Sequence, residues 1–382
     1  MKRALLLAPM GSVHRRFNRA NIAALKELGY EVHLLANFDD GEGPEKQNSQ
    51  FVEQAKQEGL ILHHIPYARH SLFRNLGCVK QTRRLLKQEK FDLVHTHTET
   101  GGLVLRMATR GCKKGMRLIY TPHGLSFWQG SSLKSQLVYR PVERWIFSGM
   151  EKNLSMNTDD DKVFRAWNPK KAGFVHGAGM DLSRICQVKR SRESVRAEFG
   201  IPTDATVLFS VGELDENKNH RLVIAAIANM QRDDLYYVIC GVGPQQENLL
   251  RQANEGGVTD RVILAGYRSD VPDLLAAFDL FIFPSYHEGL PAALMEAMAA
   301  GLPILCSEIR GNRDLIQDGE NGYLFALDQD GDFEKKLKLL LENKEQWSRF
   351  AIENKKRILD YSVESVQQEL KAIYQSGDRV DG

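Results

Sequence analysis

At 382 residues the chain is too long for one ordinary hydrophobic core, which points to two domains. Its content of 42% hydrophobic, 26% charged and 8% aromatic residues is that of a folded globular protein, neither disordered nor fibrous. Five cysteines, odd in number and without Cys-x-x-Cys spacing, point away from a disulfide framework and a zinc site and fit a reducing cytoplasm.

The net charge of +2 conceals a split: residues 1–190 hold 31 Lys/Arg against 17 Asp/Glu, and residues 191–382 hold 20 against 32. Halves of opposite charge argue for domains with different partners. The basic half lacks aromatic interleaving and any nucleic-acid module, so nucleic acid is not expected. An anionic membrane surface is the better candidate, with the cytoplasmic face of a membrane as the place.

The opening run from Met1 to Gly11 mimics a signal peptide, but it is short and yields to a glycine turn and a basic helix. It reads as a first buried strand. Apolar runs then alternate with amphipathic stretches, the pattern of parallel α/β sheets. Strands are expected near 4–8, 32–36, 61–65, 93–95, 118–121, 153–156 and 173–176, and again near 207–211, 237–240, 262–265, 280–283 and 304–306. Between the third and fourth, Arg69, Arg74, Lys80, Arg83, Arg84, Lys87 and Lys90 surround Leu76, Val79, Leu85 and Leu86 at rough helical spacing. That stretch is either a membrane-facing basic surface or a helix packed on the sheet by its leucines. Residues 181–203 read as an interdomain linker, giving domains at 1–182 and 190–360. The last helix is expected near 363–374, after a polar break. No segment approaches the 18 apolar residues that a membrane span needs.

Chemistry concentrates between Pro284 and Pro303. The strand ends in Pro-Ser, Glu288 falls in the loop at its carboxyl end, and Pro291 suits the first turn of a helix that Gly301 stops. Glu296 lies inside that helix, about 7–8 Å along the axis from Pro291. One carboxylate can hold a hexose and the other a ribose, while free N–H groups of Gly289, Leu290 and Pro291's neighbours face a diphosphate. Earlier, Gly212-Glu213-Leu214 leaves a strand and brings Lys218 to a sheet's carboxyl end, where a point cation neutralises phosphate. Gly241-Val242-Gly243-Pro244 lacks the third glycine of a dinucleotide fingerprint and reads as a turn. His95-Thr96-His97 lacks a third metal ligand, and residues 328–332 lack the distal Glu of a calcium loop.

The Glu-x7-Glu string, the Pro-His-Gly turn at His123, the Lys218 segment, Gly266-Tyr267-Arg268-Ser269-Asp270 and Arg310-Gly311-Asn312 together resemble retaining glycosyltransferases of sequence family 4. The bacterial exopolysaccharide and capsule enzymes of that family are the most similar. The resemblance implies a GT-B fold: two Rossmann-like parallel-sheet domains facing a cleft, with the final helix (about 360–382) returning to the first. It implies a nucleotide-sugar donor, a UDP-sugar for preference, and a lipid-linked or oligosaccharide acceptor. It implies no metal or other cofactor.

Under the resemblance, His123 and Glu288 serve catalysis, His123 through a hydroxyl of the transferring sugar and Glu288 by orienting that sugar. Lys218, Gly289, Leu290, Pro291 and Glu296 bind the donor, and Gly11-Ser12 stands for the family's glycine-rich first loop. One departure is Glu213, where most members carry a phosphate-binding arginine; Arg310, or less favourably Arg268, is the candidate substitute. A GT-B epimerase or hydrolase, and a non-catalytic GT-B scaffold, are the alternatives.

Overall fold

The computed structural model describes residues 1–39, 47–67, 72–111, 115–127, 131–133 and 135–376. The chain divides into two units, one of Met1–Gly179 with Val363–Gly382, the other of Met180–Ser362.

The first unit is built on β1 (Arg3–Met10), β2 (Glu31–Asn37), β3 (Ile61–His64), β4 (Leu93–His97), β5 (Arg117–Thr121), β6 (Lys152–Ser155) and β7 (Ala172–Phe174). They form one parallel sheet in the order β3-β2-β1-β4-β5-β6-β7. A parallel sheet buries both faces, and side chains alternate between them. In β1, Ala4 and Leu6 accordingly join one apolar layer while Leu5 and Leu7 join the other.

The second unit repeats the plan with β8 (Thr206–Val211), β9 (Leu235–Cys240), β10 (Val262–Gly266), β11 (Leu280–Phe283), β12 (Ile304–Ser307) and β13 (Tyr323–Phe325). Their order is β10-β9-β8-β11-β12-β13, again parallel. Phe281 and Phe283 face one layer, Leu280 and Ile282 the other. Both units are thus Rossmann-like, and in each the strand order reverses beside the first strand, at β1/β4 and at β8/β11. Open α/β sheets bind ligands beyond the strands' carboxyl ends at such reversals.

The final helix, Val363–Gln375, packs in the first unit, as the resemblance implied. Val366, Leu370 and Tyr374 enter the layer formed with Ala20, Ala24 and Leu34. Tyr374 Oη lies 2.8 Å from His95 Nδ1 and accepts from Asn21 Nδ2 at 2.8 Å. Arg117 donates to the Tyr374 carbonyl, and Glu369 holds His176 at 2.6 Å.

Three expectations change. Residues 181–203 are not a free linker: they fold into the second unit as helices Leu182–Ile185 and Arg192–Glu198. There the buried Arg196 bridges Asp279 at 2.6 Å and the carbonyl of Ala205 at 2.8 Å. Strand β13 was not anticipated, because three residues after an Asn-Gly turn carry no readable periodicity. The basic stretch beyond β3 forms the helix Leu72–Glu89, with Arg69 outside the described residues. Within it Arg83 donates to the carbonyls of Ala108 and Met107 at 3.0 and 2.7 Å, capping the helix Thr98–Ala108 instead of facing outward.

Candidate functional site

In the second unit the loops after β8 and β11, flanking the strand-order reversal, are stitched together. Asn217 Nδ2 donates to the His287 carbonyl at 3.0 Å, Tyr286 N donates to the Asn217 carbonyl at 2.8 Å, and Asn219 Nδ2 reaches the Pro284 carbonyl at 3.3 Å. Across this seam Lys218 Nζ lies 2.6 Å from Glu288 Oε1, with both side chains largely covered. The lysine stem runs against Gly212, and its ammonium sits 5.3 Å from the Phe283 ring centre. A largely covered ion pair at a sheet's carboxyl edge is a poor stability device, since desolvation offsets much of its attraction. It suits a cation and an anion kept ready for a ligand that separates them.

The loop after β12 buttresses Glu288 from the other side. Arg310, nearly buried, directs Nε toward the Glu288 carbonyl at 3.4 Å and Nη2 toward His287 Nε2 at 2.9 Å. Burial, then the Arg310 charge, pushes His287 down to about 4, leaving a neutral ring. Gly311 has φ +81°, and a Cβ there would stand 2.3 Å from the Gly289 carbonyl oxygen, so only glycine lets this turn press against the Glu288 loop. Gly241 is equally constrained: a Cβ would meet the Gly212 carbonyl at 1.7 Å, confirming a tight turn packed on the Lys218 loop.

The helix Ala292–Ala300 starts one residue later than expected, with Pro291 as its N-cap and Gly301, at φ +79°, closing it. Its first-turn N–H groups follow Gly289 and Leu290 directly. Glu296 is mostly covered, and burial raises its carboxyl while Arg184 opposes the rise. Arg184 comes from the helix Leu182–Ile185, more than a hundred residues away, and no local pattern pointed to it. Arg268 stands apart. It is gripped by Asp270 at 2.6–2.8 Å and Glu198 at 2.7 Å and lies 5.5 Å from the Phe199 ring centre.

In the first unit, β1 passes straight into the helix Gly11–Phe17, so Gly11 and Ser12 are its opening residues and there is no glycine-rich loop. His14 on that helix is buried and hydrogen-bonded to Asn18 and to the Leu35 carbonyl. His123 follows β5 with φ +65°, an uncommon conformation for a residue other than glycine. Its Nε2 lies 3.0 Å from His97 Nδ1, and Phe17 packs on its ring at 5.1 Å. Burial lowers His123 to about 4 and also lowers His97, so both stay neutral near pH 7. His97 Nε2 is buried with no protein partner among the described residues. Among those residues no group of three or more His, Cys, Asp or Glu is placed to hold a metal.

Comparison with known proteins agrees with this two-part layout. Residues 16–155 match the family described as Glycosyltransferase Family 4, and residues 191–357 match Glycosyl transferases group 1. The chain is a glycosyltransferase. The glycosyltransferase is 28% identical over 381 residues to EpsD of Bacillus subtilis (strain 168), covering 98% of this chain and 96% of that one. It is 28% identical over 288 residues to an Escherichia coli protein named UDP-Gal:alpha-D-GlcNAc-diphosphoundecaprenol alpha-1,3-galactosyltransferase, 72% of this chain and 74% of the other. The crystal structure of Anabaena HepE in complex with UDP and glucose superposes with a TM-score of 0.78 at 17% identity, covering 98% of this chain and 100% of that one. Such likeness places the glycosyltransferase in the GT-B fold.

Proposed function

We propose that the glycosyltransferase moves a hexosyl or N-acetylhexosaminyl group from a UDP-sugar to a lipid-linked precursor of an exopolysaccharide or capsule, with retention of configuration and no metal. The observation that carries this reading is the Lys218–Glu288 pair, 2.6 Å apart beside the strand-order reversal and ahead of the helix at Ala292. The E. coli relative's name specifies a UDP-sugar and a diphosphoundecaprenol acceptor, and HepE was crystallised with UDP and glucose.

In this reading the donor diphosphate draws Lys218 away from Glu288. Lys218 and the N–H groups around Gly289 and Leu290 then stabilise the charge that grows on the leaving diphosphate as the sugar C1–O bond breaks. Glu288, released, accepts from a sugar hydroxyl, and Glu296 accepts from the ribose. Glu296 is sheltered from water, which raises its carboxyl, and nearby Arg184 opposes the rise. Arg310 adds the positive charge that Glu213 does not supply. His123, neutral and held by His97, is assigned to a hydroxyl of the sugar being transferred, whose C1 forms its new bond to the acceptor oxygen. The acceptor proton leaves with the diphosphate.

Calorimetric titration with UDP tests the reading. Lys218→Ala and Glu296→Ala should each weaken UDP by about tenfold or more, a loss of about 1.4 kcal/mol. Glu288→Ala should bind UDP nearly as tightly yet fail to transfer. Unchanged UDP affinity in both of the first two variants would overturn it, and loss of turnover on metal chelation would remove the metal-free part.

A further inference from the structure

Large apolar side chains left exposed singly are ordinary, but a cluster of them marks a contact surface. Leu133 is 80% exposed, Leu137 74% and Val138 50%, and Tyr139 and Trp145 are also exposed. Leu137, Val138 and Tyr139 fall on a π-helical turn, Ser135–Tyr139, continuous with the helix Arg140–Gly149 that carries Trp145, and Leu133 precedes the turn in the chain. That helix buries Glu143, Ile146 and Phe147 and leaves Pro141, Arg144, Trp145 and Ser148 outside, so its outer stripe prolongs the one begun at Leu137.

The surroundings are cationic. From Thr100 to Met150 the sequence holds eight Lys/Arg and a single carboxylate, Glu143. Glu143 is turned inward, where Tyr120 Oη donates to both its oxygens at 3.0 Å and burial pushes it up to about 8. Arg106 lies 4.9 Å over the Trp145 ring and donates to the Trp145 carbonyl at 3.3 Å, and Arg140 lies 6.0 Å from the Phe127 ring centre. The nearby Glu151 is occupied by Arg117 at 2.9 Å. Leucines, a tryptophan and a tyrosine ringed by arginines, with no exposed carboxylate on the segment, match an interfacial helix in composition. A second copy of the chain fits less well, because an isologous contact would set Arg140 and Arg144 against their own counterparts.

We propose that the face formed by Leu133, Leu137, Val138, Tyr139 and Trp145 docks on an anionic phospholipid bilayer, with Arg106, Arg140 and Arg144 at the headgroup phosphates. This deepens, and rests on, the lipid-linked reading of the acceptor. It moves the membrane contact from the helix Leu72–Glu89 to the segment beyond β5.

The test is flotation of the full chain, without nucleotide or acceptor, on phosphatidylglycerol/phosphatidylcholine and on pure phosphatidylcholine vesicles. The wild type should prefer the anionic vesicles by about tenfold or more, with a preference that fades as salt rises. Leu133→Ser with Leu137→Ser should cut binding by about tenfold at all salts, and Arg140→Glu with Arg144→Glu should abolish the anionic preference. A vesicle-induced blue shift of tryptophan emission should vanish in Trp145→Phe. Neither vesicle binding the wild type, or the double serine variant binding as the wild type does, would overturn the proposal. So would a wild-type dimer that the serine variant converts to monomer with vesicle binding unaltered. UDP titration of the same preparations separates this outcome from failure of the donor-site reading.

Discussion

Arg310 and Arg268 differ in where they stand. Arg268 satisfies its guanidinium on Asp270 and Glu198, which raises its affinity for its proton further and leaves a phosphate to compete with two carboxylates. Arg310 stands against the Glu288 loop, with Nε toward the Glu288 carbonyl and Nη2 toward the neutral His287 ring, so its charge lies where an anion held by that loop would meet it. Arg310→Ala should therefore raise the donor KM by about tenfold, whereas Arg268→Ala should lower Tm and leave the donor KM within about twofold. Steady-state kinetics with varied donor distinguishes them; equal KM effects would remove the contrast.

The buried imidazoles make a second prediction at this scale. Burial holds His14 and His123 near 4 and His95 near 3, below the ordinary 6.5. Between pH 6.5 and about 4 the unfolded chain takes protons that the fold refuses, so stability is complete above that window and falls as pH drops through it. Each group contributes at most about 1.4 kcal/mol per pH unit there. Thermal melts should show Tm level near pH 7 and declining toward pH 4, and replacing His14 by Asn should make the decline shallower.

Among the elements, the turn after β12 tolerates little change. Gly311 combines φ +81° with a 2.3 Å approach to the Gly289 carbonyl. Gly311→Ala should cost about 1–3 kcal/mol and displace the Glu288 loop, lowering turnover and donor affinity together. Gly331→Ala has a similar φ of +77° but open space around it, so it should cost stability alone. The strands β1, β2, β4, β8, β9 and β11 were legible because strands buried on both faces are written as unbroken apolar runs between turn residues. Lys218 and Glu288 were legible as strand-end residues, since a parallel sheet sends every carboxyl end to one edge. Their pairing was not, because β8 and β11 are neighbours only through the crossed strand order. His97 behind His123, and Arg184 beside Glu296, escaped for the same reason: each contact joins segments far apart in the chain. The glycine-rich first loop was misjudged because Gly11 and Ser12 allow a helix start as readily as a turn.

At the scale of the molecule, the first unit is assembled from both ends of the chain, and its core is incomplete without Val366, Leu370 and Tyr374. Removing residues from 363 onward should expose that apolar layer and leave His95 and Asn21 without the Tyr374 hydroxyl. Unpaired buried polar groups cost about 1–3 kcal/mol each, beyond the lost apolar burial. The truncated chain should aggregate or show one melting transition belonging to the second unit. Two intact transitions would contradict this account. Tyr374→Phe should lower only the first unit's transition, leaving UDP affinity untouched.

That discontinuity also sets a timetable. A ribosome delivers the first 179 residues, then the whole of the second unit, and only then the helix that seals the first. At about 5–20 residues per second, the early sheet waits on the order of ten seconds or more for its last piece. During that interval the layer around Ala20 and Leu34 is open to chaperones and to other nascent chains, while the second unit folds on its own schedule. Chimeras inherit the same rule. An exchange of halves with a relative succeeds only if the tail travels with the first domain.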